Sequence, residues 1–478
     1  MSDLVAAIAT KETPTVGENP IRSKAPVWLV LVGLLGLTAS VVVGLALPNL
    51  KITAFAGGFF RLDATSKLFL LVVNAIVLGV ATYVWTRVNA IPALQAGVAR
   101  YVAFCVAFVL ACNLAILSNH LIALWVLLEL STLAAVPLIQ HGGLAATRAS
   151  WKYLLFSGVG LALALLGFLC LEQGLESHGS EVGLWIDGLT SISPGPLDAW
   201  GRIGLALVFL GLGTKLGLAP MYAWLPETYE AAPPATTALL AAVQFNVALV
   251  ALLRVLEFAR RLDPFAVSYE LVGLGLATML VSALSIIAAR NYKRLIAYAA
   301  LNHAGVIAIG LGIGREATYG VIVYVVSNAF IKAILFLTAG KIQAHYRSSE
   351  MADVSGLIKD LPYSGMFFMV GVFALLGLPP FGSFLGELIL MSGLISRGLI
   401  SVFVAFCVVL TVTFVATGRA VFPMIWGEPR KKADWASQPI ASILPKLVFL
   451  SALIAMGIYL PAPVNALFRQ VATSLGAP

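Results

Sequence analysis

Residues 211–240 read GLGTKLGLAPMYAWLPETYEAAPPATTALL, an apolar run that carries one lysine, Lys215, and is then interrupted at Pro220. Residues 375–391, LLGLPPFGSFLGELILM, repeat the device: Pro379 and Pro380 break the run and Glu387 follows. Proline removes a backbone donor and obstructs the preceding turn. A charge in hydrocarbon is costly, and broken helices persist at membrane depth only where the freed backbone groups face protein or a wet cavity. Two such stretches at corresponding places in two halves of a chain point to an ion or substrate site near mid-membrane.

The rest of the chain fits that setting. Of its 478 residues 60% are hydrophobic and 11% charged, far less charge than a soluble core of this length carries. The net charge of +8 does not imply nucleic acid, because the basic residues sit in short loops between apolar runs, where they set topology. The four cysteines, Cys105, Cys112, Cys170 and Cys407, are isolated inside apolar runs without CxxC or Cys/His spacing. They read as small buried hydrophobes, and neither an iron–sulfur nor a zinc site is expected. There is no Walker loop, dinucleotide fingerprint or GxSxG elbow. The chain is therefore expected to bind no cofactor, to be non-catalytic by itself, and to leave redox chemistry to a partner.

Apolar runs long enough to span fall at roughly 26–47, 66–86, 99–118, 120–139, 151–171, 201–219, 235–257, 269–289, 294–313, 319–341, 363–395, 399–422 and 441–460, about thirteen helices. The fold class is an all-α polytopic membrane protein. Residues 1–25 are polar with Pro14 and Pro20 and lack the apolar core of a signal peptide, so they read as a flexible cytoplasmic tail. If the helices alternate, Arg148 and Lys152, then Arg290, Lys293 and Arg294, then Lys341, Arg347 and Lys359, then Arg430, Lys431 and Lys432 all fall on one side. The acidic loop 172–199 falls on the other, which puts the N-terminus inside and the C-terminus outside. Arg260 and Arg261 are the exception, placed outside.

Few residues could carry chemistry. Glu129 sits near the centre of HLIALWVLLELSTLAAVPLI, where its short side chain cannot reach the interface. It is either a protonated structural carboxyl, hydrogen-bonded between helices, or a proton-binding group and partner of a lysine. Lys215 precedes the first break: it either snorkels to the interface or is packed inside, able to load and release a proton. Lys332 lies central in YGVIVYVVSNAFIKAILFLTAG, too deep to snorkel easily, with Asn328 one turn earlier on the same face. His303 stands mid-helix beside Asn302 and is either a relay or a satisfied polar bridge. Lys152 reads equally as an inside-facing anchor or a path residue. Glu227 and Glu230, beyond the first break, form a mouth for protons or cap a loop, while Arg254 and Glu257 read as marking an interface near a helix end. Glu129, Lys215, Lys332 and Glu387, each alone in lipid, would cost on the order of 10–14 kcal/mol together. They must meet one another, water or polar backbone, and such a file describes a proton wire.

On these residues the chain resembles the proton-pumping, antiporter-like subunits shared by respiratory complex I, multisubunit cation/proton antiporters and group 4 membrane-bound hydrogenases, and within them the hydrogenase-4 component F branch. The resemblance rests on WVLLELSTL (125–133), WKYLLFSGVGLALALLG (151–167), the long run 215–255, YKRLIAYAALNHAGVIAIGLG (292–312), NAFIKAILFLTAGKI (328–342) and GLPPFGSFLGELIL (377–390). It implies two inverted five-helix repeats, each with a broken helix, at 119–258 and 259–425, after N-terminal helices at 26–118 and before a C-terminal loop and helix at 426–478. By position, Glu129 matches the acidic residue of the first repeat, Lys215 its lysine partner, Lys332 the lysine of the second repeat, Glu387 the terminal acidic residue, His303 a histidine linking the halves, and Lys152 the lysine of a WKYL-like stretch. Asn246 and Asn328 stand where many relatives carry a lysine and a histidine; each can orient water but cannot hold the proton. The N-terminal region is about one helix short of the family's usual number, and no long lateral helix is expected at the C-terminus.

The expected function is proton translocation in a redox-driven respiratory or hydrogenase-type complex of the bacterial cytoplasmic membrane. The expected partners are other membrane subunits and a peripheral redox module. The alternatives are a sodium/proton antiporter module, or the membrane subunit of an inorganic-carbon uptake complex.

Overall fold

A computed structural model describes residues 25–46, 52–87, 97–176, 183–192, 197–429 and 440–476. The expected tail 1–25 lies outside the described residues but for Ala25, as do Arg430, Lys431 and Lys432. The described residues form a multi-pass helical bundle with one small hairpin. Helix α1 (Ala25–Val41) runs through a π-helical turn toward a two-stranded antiparallel hairpin, β1 (Ile52–Phe55) and β2 (Phe60–Leu62), the one sheet among the described residues. No strand was expected between the first two spans. Then follow α2 (Ala64–Arg87), α3 (Val98–Leu117), α4 (Leu121–Gln140), α5 (Leu144–Glu176), α6 (Ala199–Leu216) and the short α7 (Trp224–Ala231). Helix α8 (Pro234–Leu262) contains a π-helical turn at Leu239–Gln244. The second half holds α9 (Pro264–Ala288), α10 (Tyr292–Ile313), α11 (Glu316–Tyr346), α12 (Pro362–Leu375), α13 (Gly382–Ser396), α14 (Ile400–Trp426), α15 (Ile440–Ile458) and α16 (Ala462–Ser474).

Among the described residues eleven helices are long and apolar enough to cross a membrane, and a pair bent by 74° between Ile458 and Ala462 makes a twelfth. The shorter α12 and α13 flank Pro379–Pro380; counted as one more broken crossing they bring the total to the number expected. The span expected at 441–460 is α15; the chain then turns at Pro461 and continues as α16, which was not expected from the sequence. The helix starts follow local chemistry. Asp63, Asp198 and Asp263 accept from the backbone N–H groups of Ser66, Gly201 and Ala266 at 2.9, 2.8 and 3.0 Å, and Asn291 accepts from Lys293 at 2.9 Å. These are N-caps that satisfy orphan donors, and Pro264 adds a preset first turn.

Three helix pairs approach through small residues, the packing that suits a medium where apolar burial gives no drive of its own. On α5 and α6 a side chain at Gly204 would lie 2.8 Å from the Gly167 carbonyl. On α9 and α10 Gly275 faces the Gly305 carbonyl at 2.7 Å, and on α11 and α13 Gly386 faces that of Gly320 at 2.8 Å. The result is a centre of three enclosed helices: the apolar windows of α8 and α11 are 100% buried and that of α10 is 94% buried, against 17% for α14. The polar side chains inside those windows are thereby held away from lipid.

The two ends of the bundle differ. Loop 290–294 pairs with loop 341–362 through Tyr292 N–H to Ser349 O (3.1 Å) and Met351 N–H to Arg290 O (2.9 Å), and Lys152 reaches Glu227 nearby. The acidic loop sits at the opposite end, where Asp187 meets Arg61 at 2.7 Å.

Candidate functional site

The two breaks are built alike. Each has a glycine in the left-handed region, Gly217 (φ 79°) and Gly377 (φ 65°), followed by Leu and, three residues on, by a proline after a cis bond, Pro220 and Pro380. Glycine suits this conformation because it lacks a Cβ. The freed backbone groups are satisfied by protein. At the first break Trp224 Nε1 donates to Thr214 O (2.9 Å), and the Ala219 N–H donates to Thr278 Oγ1 (2.9 Å). At the second, Ser383 Oγ donates to Ala374 O (2.7 Å).

Lys215 ends α6 just before the first break and is buried. Its Nζ donates to Thr132 Oγ1 and stands 5.1 Å from the centre of the Tyr153 ring. Thr132 lies one turn beyond Glu129 on α4, so acid and lysine share a neighbourhood without forming an ion pair. Glu129 is half-buried, and its Oε2 has no protein partner among the described residues. A short polar chain leads on from Lys215: Gln244 Nε2 donates to Ser131 Oγ (3.4 Å), and Tyr153 donates to Gln244 Oε1 (2.8 Å). Gln244 sits in the π-helical turn of α8, which brings the first half against the second.

Lys332 lies on α11 and is buried, with Nζ 3.6 Å from the centre of the Phe245 ring. Among the described residues it has neither a hydrogen bond nor a carboxylate partner. Asn246 and Asn328 flank it on α8 and α11. Each spends its NH₂ on the carbonyl one turn back, Ala242 O (2.5 Å) and Tyr324 O (2.9 Å), and each leaves Oδ1 without a protein partner. Such buried acceptors are positions that ordered water satisfies.

At the second break the groups meet directly. Tyr324 OH donates to Glu387 Oε1 at 3.0 Å and is also hydrogen-bonded to His303 Nδ1. The Glu387 carboxylate lies against Gly377, so close that a Cβ there would collide with Oε2. The carboxylate of α13 thus meets α11 and the break directly, and α10 through Tyr324.

Three sequence-predicted residues stand apart. Lys152 and Glu227 form an exposed pair (2.6 Å; side chains 53% and 40% exposed), and Glu230 binds Arg294 (2.6 Å) and Asn291 (3.0 Å). All three lie at the end of the bundle that carries the basic loops, and no hydrogen bond among the described residues joins them to the buried file.

Sequence reasoning missed two things. Thr132, Tyr153, Gln244 and Tyr324 are uncharged and read as ordinary residues of apolar helices; only the helical spacing of Tyr324 from Asn328 and Lys332 signals its place. It also missed a charged knot at the acidic end. Arg254, fully buried, binds Asp63 (2.5 Å), Glu257 (2.9 Å) and Ser66 (2.8 Å), and Arg61 binds Asp63, Asp187 and Glu257. Arg254 and Glu257 are therefore core to this knot, near the end of α8 and apart from the buried file. Burial alone would raise the Asp63 carboxyl, but Arg254, with Arg61 behind it, holds it well below the usual carboxylate range.

The sequence profile described as "NADH:quinone oxidoreductase/Mrp antiporter, TM" matches residues 118–413. "Hydrogenase-4 component F homolog" of Methylacidiphilum infernorum is 30% identical over 436 residues, 88% of this chain and 89% of that one. "NADH-quinone oxidoreductase subunit N" of Desulforudis audaxviator is 32% identical over 297 residues, 61% of this chain and 58% of that one. A chain of the membrane-bound sulfane sulfur reductase, an archaeal respiratory membrane complex, superposes with a TM-score of 0.84 at 22% identity, covering 96% of this chain and 93% of that one. At that identity the likeness speaks to the fold alone.

Proposed function

Because the chain belongs to the NADH:quinone oxidoreductase/Mrp antiporter membrane family, we propose that it moves protons inside a larger respiratory or hydrogenase-type complex, along Glu129, Lys215, Asn246, Lys332, Asn328, His303 and Glu387. Its partners are then other membrane subunits and a peripheral redox module, in keeping with the names its relatives carry. The observation that carries this reading is the state of the two central lysines. Lys215 and Lys332 are buried inside the bundle, and neither has a carboxylate partner among the described residues. A buried charge kept only for structure is paired; a lysine without a fixed counter-ion is free to hand its proton on.

In this reading a redox-driven movement alters the Glu129–Lys215 interaction and Lys215 releases its proton. Ser131, Gln244 and water held on Asn246 carry it to Lys332, and Asn328, His303 and Tyr324 pass it to Glu387. Glu227 and Glu230, with Lys152 and Arg294 against them, form the mouth. The Gly-Leu-x-Pro break in each half supports the division into repeats at 119–258 and 259–425. The basic loops gathered at one end support an N-terminus in the cytoplasm and a C-terminus outside a bacterial cytoplasmic membrane.

The test is Lys215→Ala and Lys332→Ala in the assembled complex, reconstituted in vesicles with a pH-sensitive dye. Proton movement falls at least about tenfold in each, with the subunit composition unchanged; full proton movement in either variant overturns the path. The sodium/proton alternative takes support from the antiporter members of the family. Hard cations favour clustered oxygen ligands, and this file alternates lysine with acid and amide, so flux here is expected not to depend on sodium.

A further inference from the structure

The end of the bundle opposite the Lys152–Glu227 pair holds a cavity of about 910 Å³, walled by the last turns of α8 and α10, the first turns of α9, and the ends of α13 and α16. Its lining includes Arg260, Arg261, Arg315 and Arg397. None of the four has a carboxylate within ion-pair reach among the described residues. The acids on the same wall, Asp63 and Glu257, are already bonded to Arg254 and Arg61.

Part of this clustering has a plain structural cause. Helix C-termini expose carbonyls that attract cations, and here Arg260 donates to Leu311 O and Leu475 O, Arg397 to Ile313 O (2.7 Å), and Arg261 to Thr190 O. Capping does not exhaust them. A guanidinium carries five donors; Arg260 uses two on these carbonyls, Arg397 and Arg261 one each, and Arg315 has no partner among the described residues. Two guanidiniums converge on the last turn of α10, and Arg315 follows directly after Gly314. Like charges gathered around one cavity repel unless an anion lies between them.

The rim identifies the kind of anion. Phe265 and Tyr269, one turn apart at the start of α9, are 74% and 77% exposed, and Leu399 closes another side. Exposed aromatics beside a charged helix end are the pattern of the bilayer interface. The volume is that of a small-molecule site, and bidentate guanidinium groups match phosphate oxygens.

We propose that this cavity is a phosphate-binding site that seats the headgroup of an anionic phospholipid, its acyl chains leaving past Phe265 and Tyr269. The same guanidiniums would accept free phosphate, so the test separates the two sources. The purified, delipidated complex is titrated with phosphatidylglycerol, with phosphatidylcholine and with inorganic phosphate, and binding is followed by native mass spectrometry and thermal unfolding. The variant is Arg315→Gln with Arg397→Gln, both exposed, which leaves the Arg260 caps intact; Arg148→Gln, an exposed arginine at the opposite end, is the control. The wild-type complex prefers phosphatidylglycerol to phosphatidylcholine by about tenfold or more, and the double variant loses that preference while the control keeps it. Inorganic phosphate that stabilises the wild type as strongly as phosphatidylglycerol keeps the site and makes free phosphate its ligand. Equal binding of the two lipids by the wild type with no effect of phosphate, or a lipid preference that survives the double substitution, overturns the proposal.

Discussion

Tyr324 holds its hydroxyl between Glu387 Oε1 and His303 Nδ1, so Tyr324→Phe removes the bridge and keeps the ring that packs the core. The substitution leaves a buried carboxylate oxygen and a ring nitrogen each short of a partner, a cost of about 1–3 kcal/mol. Proton movement in reconstituted vesicles is expected to fall severalfold or more, with a modest drop in thermal stability and no loss of assembly. Unchanged flux would mean that protons reach Glu387 by another route. At this scale the charges were legible and their connectors were not. Glu129, Lys215, Lys332 and Glu387 declare themselves because an acid or lysine inside an apolar run is expensive. Tyr153, Gln244 and Tyr324 cost little there, so their roles emerge only when α5, α8 and α11 are brought together. Lys152 was ambiguous in the sequence for a related reason: a lysine opening a helix suits an anchor or a path, and the structure gives it an exposed partner, Glu227.

The breaks are the elements that set the chemistry, and glycine is what lets them close on it. Gly377 lies in the left-handed region with the Glu387 carboxylate where its side chain would be. Gly377→Ala alters no titratable group, yet it strains the backbone by about 1 kcal/mol and pushes the carboxylate away from Tyr324. Proton flux is expected to drop while Gly398→Ala, a positive-φ glycine with open space around it, changes only stability; equal flux in both variants would count against the carboxylate's placement. The third bend deepens the point. Gly457 packs its α-carbon onto the Pro380 carbonyl, too close for any side chain, so the C-terminal break rests on the second. The first two breaks were readable because proline and charge fall together. The third was not: α15 and α16 carry no buried acid, and Pro461 at the end of an apolar run looks like an ordinary stop.

Across the whole molecule the two ends carry different electrostatic arrangements, and the rule that assigns sides from basic loops meets its exceptions at the acidic end. Arg260 and Arg261 sit at the acidic end, yet they are engaged with carbonyls of Leu311, Leu475 and Thr190; they are there to close helix ends, which a count of loop charges cannot register. The knot beside them ties the N-terminal helices to α8, because Asp63 caps α2 and also binds Arg254. Replacing Asp63 with Asn keeps a capping oxygen but leaves Arg254 with less counter-charge in a fully buried place. A loss of about 2 kcal/mol is expected, below the full cost of breaking a buried pair because Glu257 remains and Asp63 is partly exposed. The pH dependence follows from sign. The folded carboxyl titrates below its unfolded value, so its contribution is complete above the ordinary 3.8 and fades as pH falls through the lower, folded value. The gap in melting temperature between wild type and Asp63→Asn should therefore stay constant from about pH 8 to about pH 4 and close only below that. A gap that changed between about pH 8 and about pH 5 would show that Arg254 does not hold the carboxyl down, with the knot open and α2 no longer fastened to α8.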